Sequence, residues 1–171
     1  MKTALLYDFI VDKENKTIHI HREFRGPKSL VWKAWTTAEL LNQWWAPAPY
    51  TLETKEMDFR EGGRWIYAMV SPEGNKHYGI AKYITIKTEE YYSQRDGFCD
   101  ENGIMNPDFP ENNATNTFTE KNDEKGLRTE VYMHLTFDKL EDLQVNLDMG
   151  FKEGISVDFE QLDVLLEQWQ K

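Results

Sequence analysis

The chain has 171 residues, 40% of them hydrophobic, and a formal net charge of −10. That length suits one domain, 1–171, with a core of its own, and the apolar content sets aside global disorder. The charge repels phosphate backbones and anionic lipid surfaces, so no nucleic-acid or membrane partner is expected, and no apolar run approaches the roughly 18 residues of a membrane span.

At the N-terminus, MKTALLYDFIVDKENK has an apolar patch only at Ala4–Leu6 before Asp8 intervenes, short of the hydrophobic stretch of an export signal. A single cysteine, Cys99, fits a reducing compartment, so a cytoplasmic location is expected. The Asn15-Lys-Thr and Asn113-Ala-Thr triplets then match a glycosylation pattern by chance. Residues 17–24, TIHIHREF, alternate Ile18 and Ile20 against His19 and His21, the period of a strand. Arg25-Gly26-Pro27 ends it and opens a helix near 27–35, where Val31, Ala34 and Trp35 recur at helical spacing. Thr36 with Glu39 three residues on resembles a capping box for a second helix near 37–45. That helix ends in NQWWAPAPY. Adjacent helical side chains point about 100° apart, so Trp44 and Trp45 cannot share one packed layer. One ring is expected in the core and the other, Trp45, at a cavity rim, against the plainer alternative that both cap the core.

Six strands follow. TLETKEMDF (51–59) and RWIYAMV (64–70) flank Gly62-Gly63, which supply the positive φ of a tight hairpin turn. HYGIAKYITIK (77–87), EYYSQRDGF (90–98), ATNTFTEK (114–121) and LRTEVYMHLTF (127–137) complete the run. In the last, Thr129, Val131, Met133, Leu135 and Phe137 share one face, as in an antiparallel strand with one buried side. The loop from Asp100 to Asn113 is long, and Ile104, Met105 and Phe109 could fold over an opening or belong to a tolerated insertion. A short helix over 139–149 precedes a longer one over 151–169, where Phe151, Ile155, Phe159, Leu162, Leu166 and Trp169 form one apolar stripe. The expected architecture is α+β: β–α–α, six strands, and a long helix laid over a curling sheet. A straight cylinder does not fill a curved trough, so a cavity between the two is expected.

REFRGPKSLVWKAWTTAELLNQWWAP, then MDFREGGRW, then MGFKEGISVDFEQLDVLL resemble the C-terminal domain of the activator of heat-shock-protein-90 ATPase, over roughly residues 8–168. Pro27, Val31, Trp32, Ala34, Trp35, Thr36, Trp44, Trp45, Pro47, Asp58, Arg60, Gly62, Gly63 and Trp65 occupy the positions that carry the resemblance. It implies the START-like (SRPBCC, birch-pollen-allergen) superfamily and its helix-grip fold, whose members commonly hold lipophilic molecules between sheet and C-terminal helix. A few relatives are cyclases or other enzymes. The eukaryotic namesake is a co-chaperone with a separate N-terminal domain, for which a chain of this length is expected to leave no room.

The leading expectation is a non-enzymatic binding protein for a small lipophilic molecule. Its lining would be Trp45, Trp65, Tyr67, Met69, Val131, Met133, Phe151 and Ile155, with Arg95, His77 or Tyr78 orienting the ligand. The opposite parity, with Ile66, Ala68 and Val70 facing in, is equally compatible with the 64–70 strand. The alternatives are a co-chaperone that modulates a chaperone ATPase and a cyclase-like enzyme, the latter needing a close histidine–carboxylate pair in the cavity. No cofactor is expected. The glycines of Arg60–Arg64 are flanked by strands, whereas a phosphate loop sets them before a helix. His19 and His21 share a face but lack the HExxH or Cys-pair spacing of a zinc site, so no metal is expected. His77 or His134 could serve as a base only with an orienting partner. Acids beside Cys99 should raise its thiol pKa and leave it inert.

Overall fold

The computed structural model describes residues 4–171. Strands β1 (Tyr7–Asp12) and β2 (Thr17–Arg25) form a hairpin, followed by helices α1 (Lys28–Thr36) and α2 (Ala38–Trp44). Strands β3 (Thr51–Met57), β4 (Arg64–Val70), β5 (Lys76–Lys87), β6 (Tyr91–Cys99), β7 (Asn112–Asp123) and β8 (Gly126–Thr136) come next, then α3 (Leu140–Asp148) and α4 (Phe151–Trp169). All eight strands form one antiparallel sheet in the order β1-β2-β8-β7-β6-β5-β4-β3, with α4 and the α1–α2 pair packed on it. This is the expected α+β helix-grip architecture with one strand more.

The extra strand is β1, in a segment whose sequence predicts no strand and falls short of an export signal. Asp8 and Ile10 are exposed on its outer side, while Tyr7 and Phe9 turn inward to the α4 residues Phe159 and Phe151 at ring separations of 5.6 and 6.0 Å. The Tyr7 hydroxyl also bonds the Ser156 hydroxyl at 2.6 Å. An edge strand needs only one apolar face, and two aromatic rings supply it.

The capping box does not form. The residue before α2 is Thr37, without a side-chain cap bond, and the Thr36 hydroxyl donates instead to the Trp32 carbonyl at 2.8 Å. Back-bonding within the preceding helix has taken the group that capping would use. The β3–β4 connection is looser than the expected tight turn, running from Asp58 to Gly63: only Gly62 adopts a positive φ, +85°, while Gly63 is required because a Cβ there would meet the Asp58 carbonyl. Irregular registers at Thr54/Glu56 in β3 and Tyr83/Thr85 in β5 interrupt the ladders, a device that bends a strand.

The two tryptophans separate as their angular spacing requires. Trp44 is fully buried and donates its indole N–H to the Ala34 carbonyl at 3.0 Å. Trp45 is half-buried and turns toward Trp65, 6.1 Å away between ring centroids. The segment beyond them is tied to α4 by Gln161, whose amide donates to the carbonyls of Trp44 and Ala46 and accepts from the Ala48 N–H, at 3.0, 2.9 and 3.1 Å. Helix α4 thus sets where the Trp45 ring lies relative to the sheet.

Candidate functional site

Between the concave sheet face and the N-terminal half of α4 lies a cavity of about 330 Å³. Its origin is legible in side-chain size. At inward positions the sheet carries Gly79 and Ala81 on β5 and Ala114 on β7, and α4 presents Gly154, all of them on the lining. Large residues at those points would fill the trough; these small ones leave it hollow. Gly79 is the most constrained, because a Cβ there would sit 2.6 Å from the ring and hydroxyl of Tyr67, its cross-strand partner.

The walls are aromatic near the mouth and more polar within. Trp45 and Pro47 approach from the loop after α2, and Trp65, Tyr67 and Met69 from β4. Trp65 and Tyr67 lie 4.2 Å apart between centroids, and the Trp65 indole N–H donates to the Thr54 hydroxyl at 3.1 Å. Period-2 geometry brings Tyr92, Gln94, Asp96 and Phe98 of β6 inward together. Asp96 accepts hydrogen bonds from the amides of Gln94 and Asn112 at 2.6 and 3.3 Å. Burial outweighs these bonds and pushes its carboxyl up to about 7. Asp158 projects from α4 and is only 4% exposed; its Oδ1 receives no hydrogen bond among the described residues. Burial alone pushes this carboxyl up to about 9, so it is protonated at neutral pH. The Tyr67 hydroxyl is also pushed up, first by burial and then by the Asp96 charge.

Of the residues expected at the site, Trp45, Trp65, Tyr67, Met69, His77, Tyr78, Met133, Phe151 and Ile155 line this cavity, His77 as an exposed group at its mouth. Two do not. Val131 is fully enclosed in the core beside Phe118, its cross-strand partner, away from the lining. Arg95 alternates to the outer face of β6, where it binds Glu111, Asn113 and Asp138 at 3.2, 3.3 and 2.9 Å. The parity of β4 resolves to Trp65, Tyr67 and Met69 inward. Ile66 and Ala68 are buried on the opposite face, where Gly103 of the long loop lies against Ile66. The tip of that loop therefore packs on the outside of the sheet. Only its later part reaches the mouth, through Pro110 and the contact of Phe109 with Phe98 at 5.3 Å.

Gln94, Asp96, Asn116 and Asp158 were not singled out from sequence. The signals exist: Gln94 and Asp96 fall on the β6 alternation with Tyr92, and Asp158 interrupts the α4 stripe between Ile155 and Leu162. His19, His21 and His134 gather around the Tyr132 ring away from the cavity, while His77 lies at its mouth. His134 is on the outer face of β8, stacked on His19 at 5.1 Å, and His19 Nδ1 meets the Tyr132 hydroxyl at 2.6 Å. His77 pairs with Met69, whereas Asp96 pairs with Ala81, four residues further along β5, about 13 Å at strand rise. Among the described residues no group of three or more His, Cys, Asp or Glu is placed to hold a metal ion. Burial, then Asp100, pushes the Cys99 thiol up. No described helix is long and apolar enough to cross a membrane.

Residues 25–167 match the family model described as activator of Hsp90 ATPase homolog 1-like protein. No curated protein matches the chain. Among solved structures, a protein from Mycobacterium smegmatis is 32% identical over 95% of this chain and 97% of its own, with a TM-score of 0.82. One from Arthrobacter aurescens is 28% identical over 94% and 91%, with a TM-score of 0.84. An AHSA1 protein from Silicibacter pomeroyi, 18% identical over 89% and 98% with a TM-score of 0.66, shares the fold. With five-sixths of its length under the family model and a helix-grip architecture, this chain belongs to the activator of Hsp90 ATPase homologue 1-like family, within the START/Bet v1-like SRPBCC superfamily.

Proposed function

We propose that this protein binds a small, largely apolar molecule in the cavity between the sheet and α4, without chemical conversion. The observation that supports the reading is a hollow of about 330 Å³ within an otherwise packed core, walled by Trp45, Trp65, Met69, Met133 and Ile155. Empty apolar volume is costly to maintain: it forfeits dispersion contacts that larger side chains at Gly79, Ala81, Ala114 and Gly154 would make. Occupation by a ligand restores them, with the transfer of apolar surface from water adding about 25 cal/mol per Å². The aromatic mouth suits a molecule that is amphipathic, since indole and phenol rings offer apolar faces and polar edges.

The test is uptake of a neutral fluorescent hydrophobe, N-phenyl-1-naphthylamine, followed by its emission, with native mass spectrometry of the protein purified from its own cells. Micromolar uptake that is weakened by Trp45→Ala, or a co-purifying small molecule, is the expected result. Absence of both overturns the reading.

A further inference from the structure

We propose, building on the cavity as a ligand site, that its occupant is a lipophilic cation: an alkyl or arylalkyl amine whose ammonium group pairs with Asp158.

Five buried side-chain atoms on the lining have no hydrogen-bond partner among the described residues: the acceptors Asp158 Oδ1, Asn116 Oδ1 and Asn146 Oδ1, and the indole donors Trp35 Nε1 and Trp45 Nε1. Buried polar atoms are nearly always partnered; acceptors outnumber donors in this set, and its one ionisable group is the Asp158 carboxyl, so the charged group that complements it is a cationic donor. Asp96 differs, because Gln94 and Asn112 already serve it. The charge balance points the same way. Among the described residues the lining holds two carboxyl groups and no lysine or arginine, and its one basic residue, His77, is exposed at the mouth. A fatty acid or phosphate ester could accept from the two indole N–H groups, but it would set another acid beside Asp96 and Asp158 with no lysine or arginine on the described lining to balance it. An ammonium group supplies three donors and a full positive charge, and the faces of Trp45, Trp65 and Tyr67 attract cations through their quadrupoles. The net charge of −10 raises the local concentration of such a ligand.

The pairing includes a proton step. The groups that share the cavity with Asp158 are Tyr67 from β4, Tyr78 and Tyr83 from β5, and Tyr92 and Asp96 from β6, with His77 at the mouth; α1, α2, α3, β7 and β8 add no titratable lining group. Empty, Asp158 carries its proton, since burial pushes it up to about 9, while Asp96 ionises near 7. An alkylammonium ion arriving from water meets a carboxylic acid. The acid O–H bond breaks, its proton passes to solvent, and carboxylate and ammonium remain as a pair. Each binding event above the range of Asp96 therefore releases one proton, and affinity climbs toward tenfold per pH unit until Asp158 itself ionises.

The experiment compares octylamine, octan-1-ol and octanoate by calorimetry in two buffers of different ionisation enthalpy, from about pH 7.5 to 8.5. The amine is expected to bind tightest, to release close to one proton, and to gain affinity with pH. Asp158→Asn should remove the pH slope and weaken the amine at least about 30-fold, with octan-1-ol and N-phenyl-1-naphthylamine held within a few-fold as proof of an intact cavity. Alcohol or carboxylate binding as tightly as the amine, or an amine affinity without pH slope, overturns the cation assignment and leaves the cavity reading standing. Failure of all three compounds and of the naphthylamine removes the cavity reading itself.

Discussion

Replacing Asp158 by asparagine should make the protein more stable, and increasingly so as pH rises. The carboxyl is nearly isosteric with the amide, so the change removes a titration and little volume. In the unfolded chain the group ionises near 3.8, whereas in the fold burial holds it protonated to about 9. Its contribution to stability is therefore fully present below the unfolded value and is lost as pH rises toward the folded one. Each pH unit in that window removes about 1.4 kcal/mol, so three units, from pH 4 to neutrality, remove at most about 4 kcal/mol. Water entering the cavity lowers that ceiling. Against a total stability of roughly 5–15 kcal/mol for a domain, the effect is large. Urea melts of both proteins at fixed pH between about 4 and 8, analysed with a common slope, measure it. Asp96 and the surface carboxylates titrate in both proteins and cancel in the difference. The variant's advantage should be near zero at the acid end and grow steadily. A difference that stays flat across the range refutes the claim that this carboxyl is held neutral by burial.

The tryptophan pair should respond unequally. Trp44→Ala removes a fully enclosed ring and its bond to Ala34, a loss of about 3–5 kcal/mol in melts, whereas Trp45→Ala costs less stability and weakens naphthylamine uptake more. Equal melts with uptake unchanged would count both rings as core. Gly79→Ala places a methyl 2.6 Å from the Tyr67 ring, which must then swing into the hollow. About 1–3 kcal/mol of destabilisation and a marked fall in naphthylamine affinity are expected; unchanged affinity would mean that Tyr67 does not bound the binding space.

Element order was legible along the chain because periodicity is a local property. The β4 strand and α4 run over the residues their patterns mark, since alternation at 64–70 and the stripe from Phe151 to Trp169 each repeat often enough to be unmistakable. β1 was not, because its two inward rings are interrupted by Asp8 and face a helix some 150 residues away. Residue types on the apolar wall were legible for the same local reason, through Trp45, Trp65 and Met133. Arg95 was misplaced because choosing an orienting group by its charge ignores the strand parity that sends it outward.

Local pattern, then, determined which segments fold as strand or helix and which face of each is apolar. Tertiary structure alone decided that four small residues from β5, β7 and α4 meet around one hollow, and that Asp158 Oδ1 sits there without a donor among the described residues. The physical reason is that a cavity is an absence shared by distant segments. Each Gly or Ala is unremarkable in its own neighbourhood, and the ionisation of a buried acid depends on what the rest of the chain places, or omits to place, beside it.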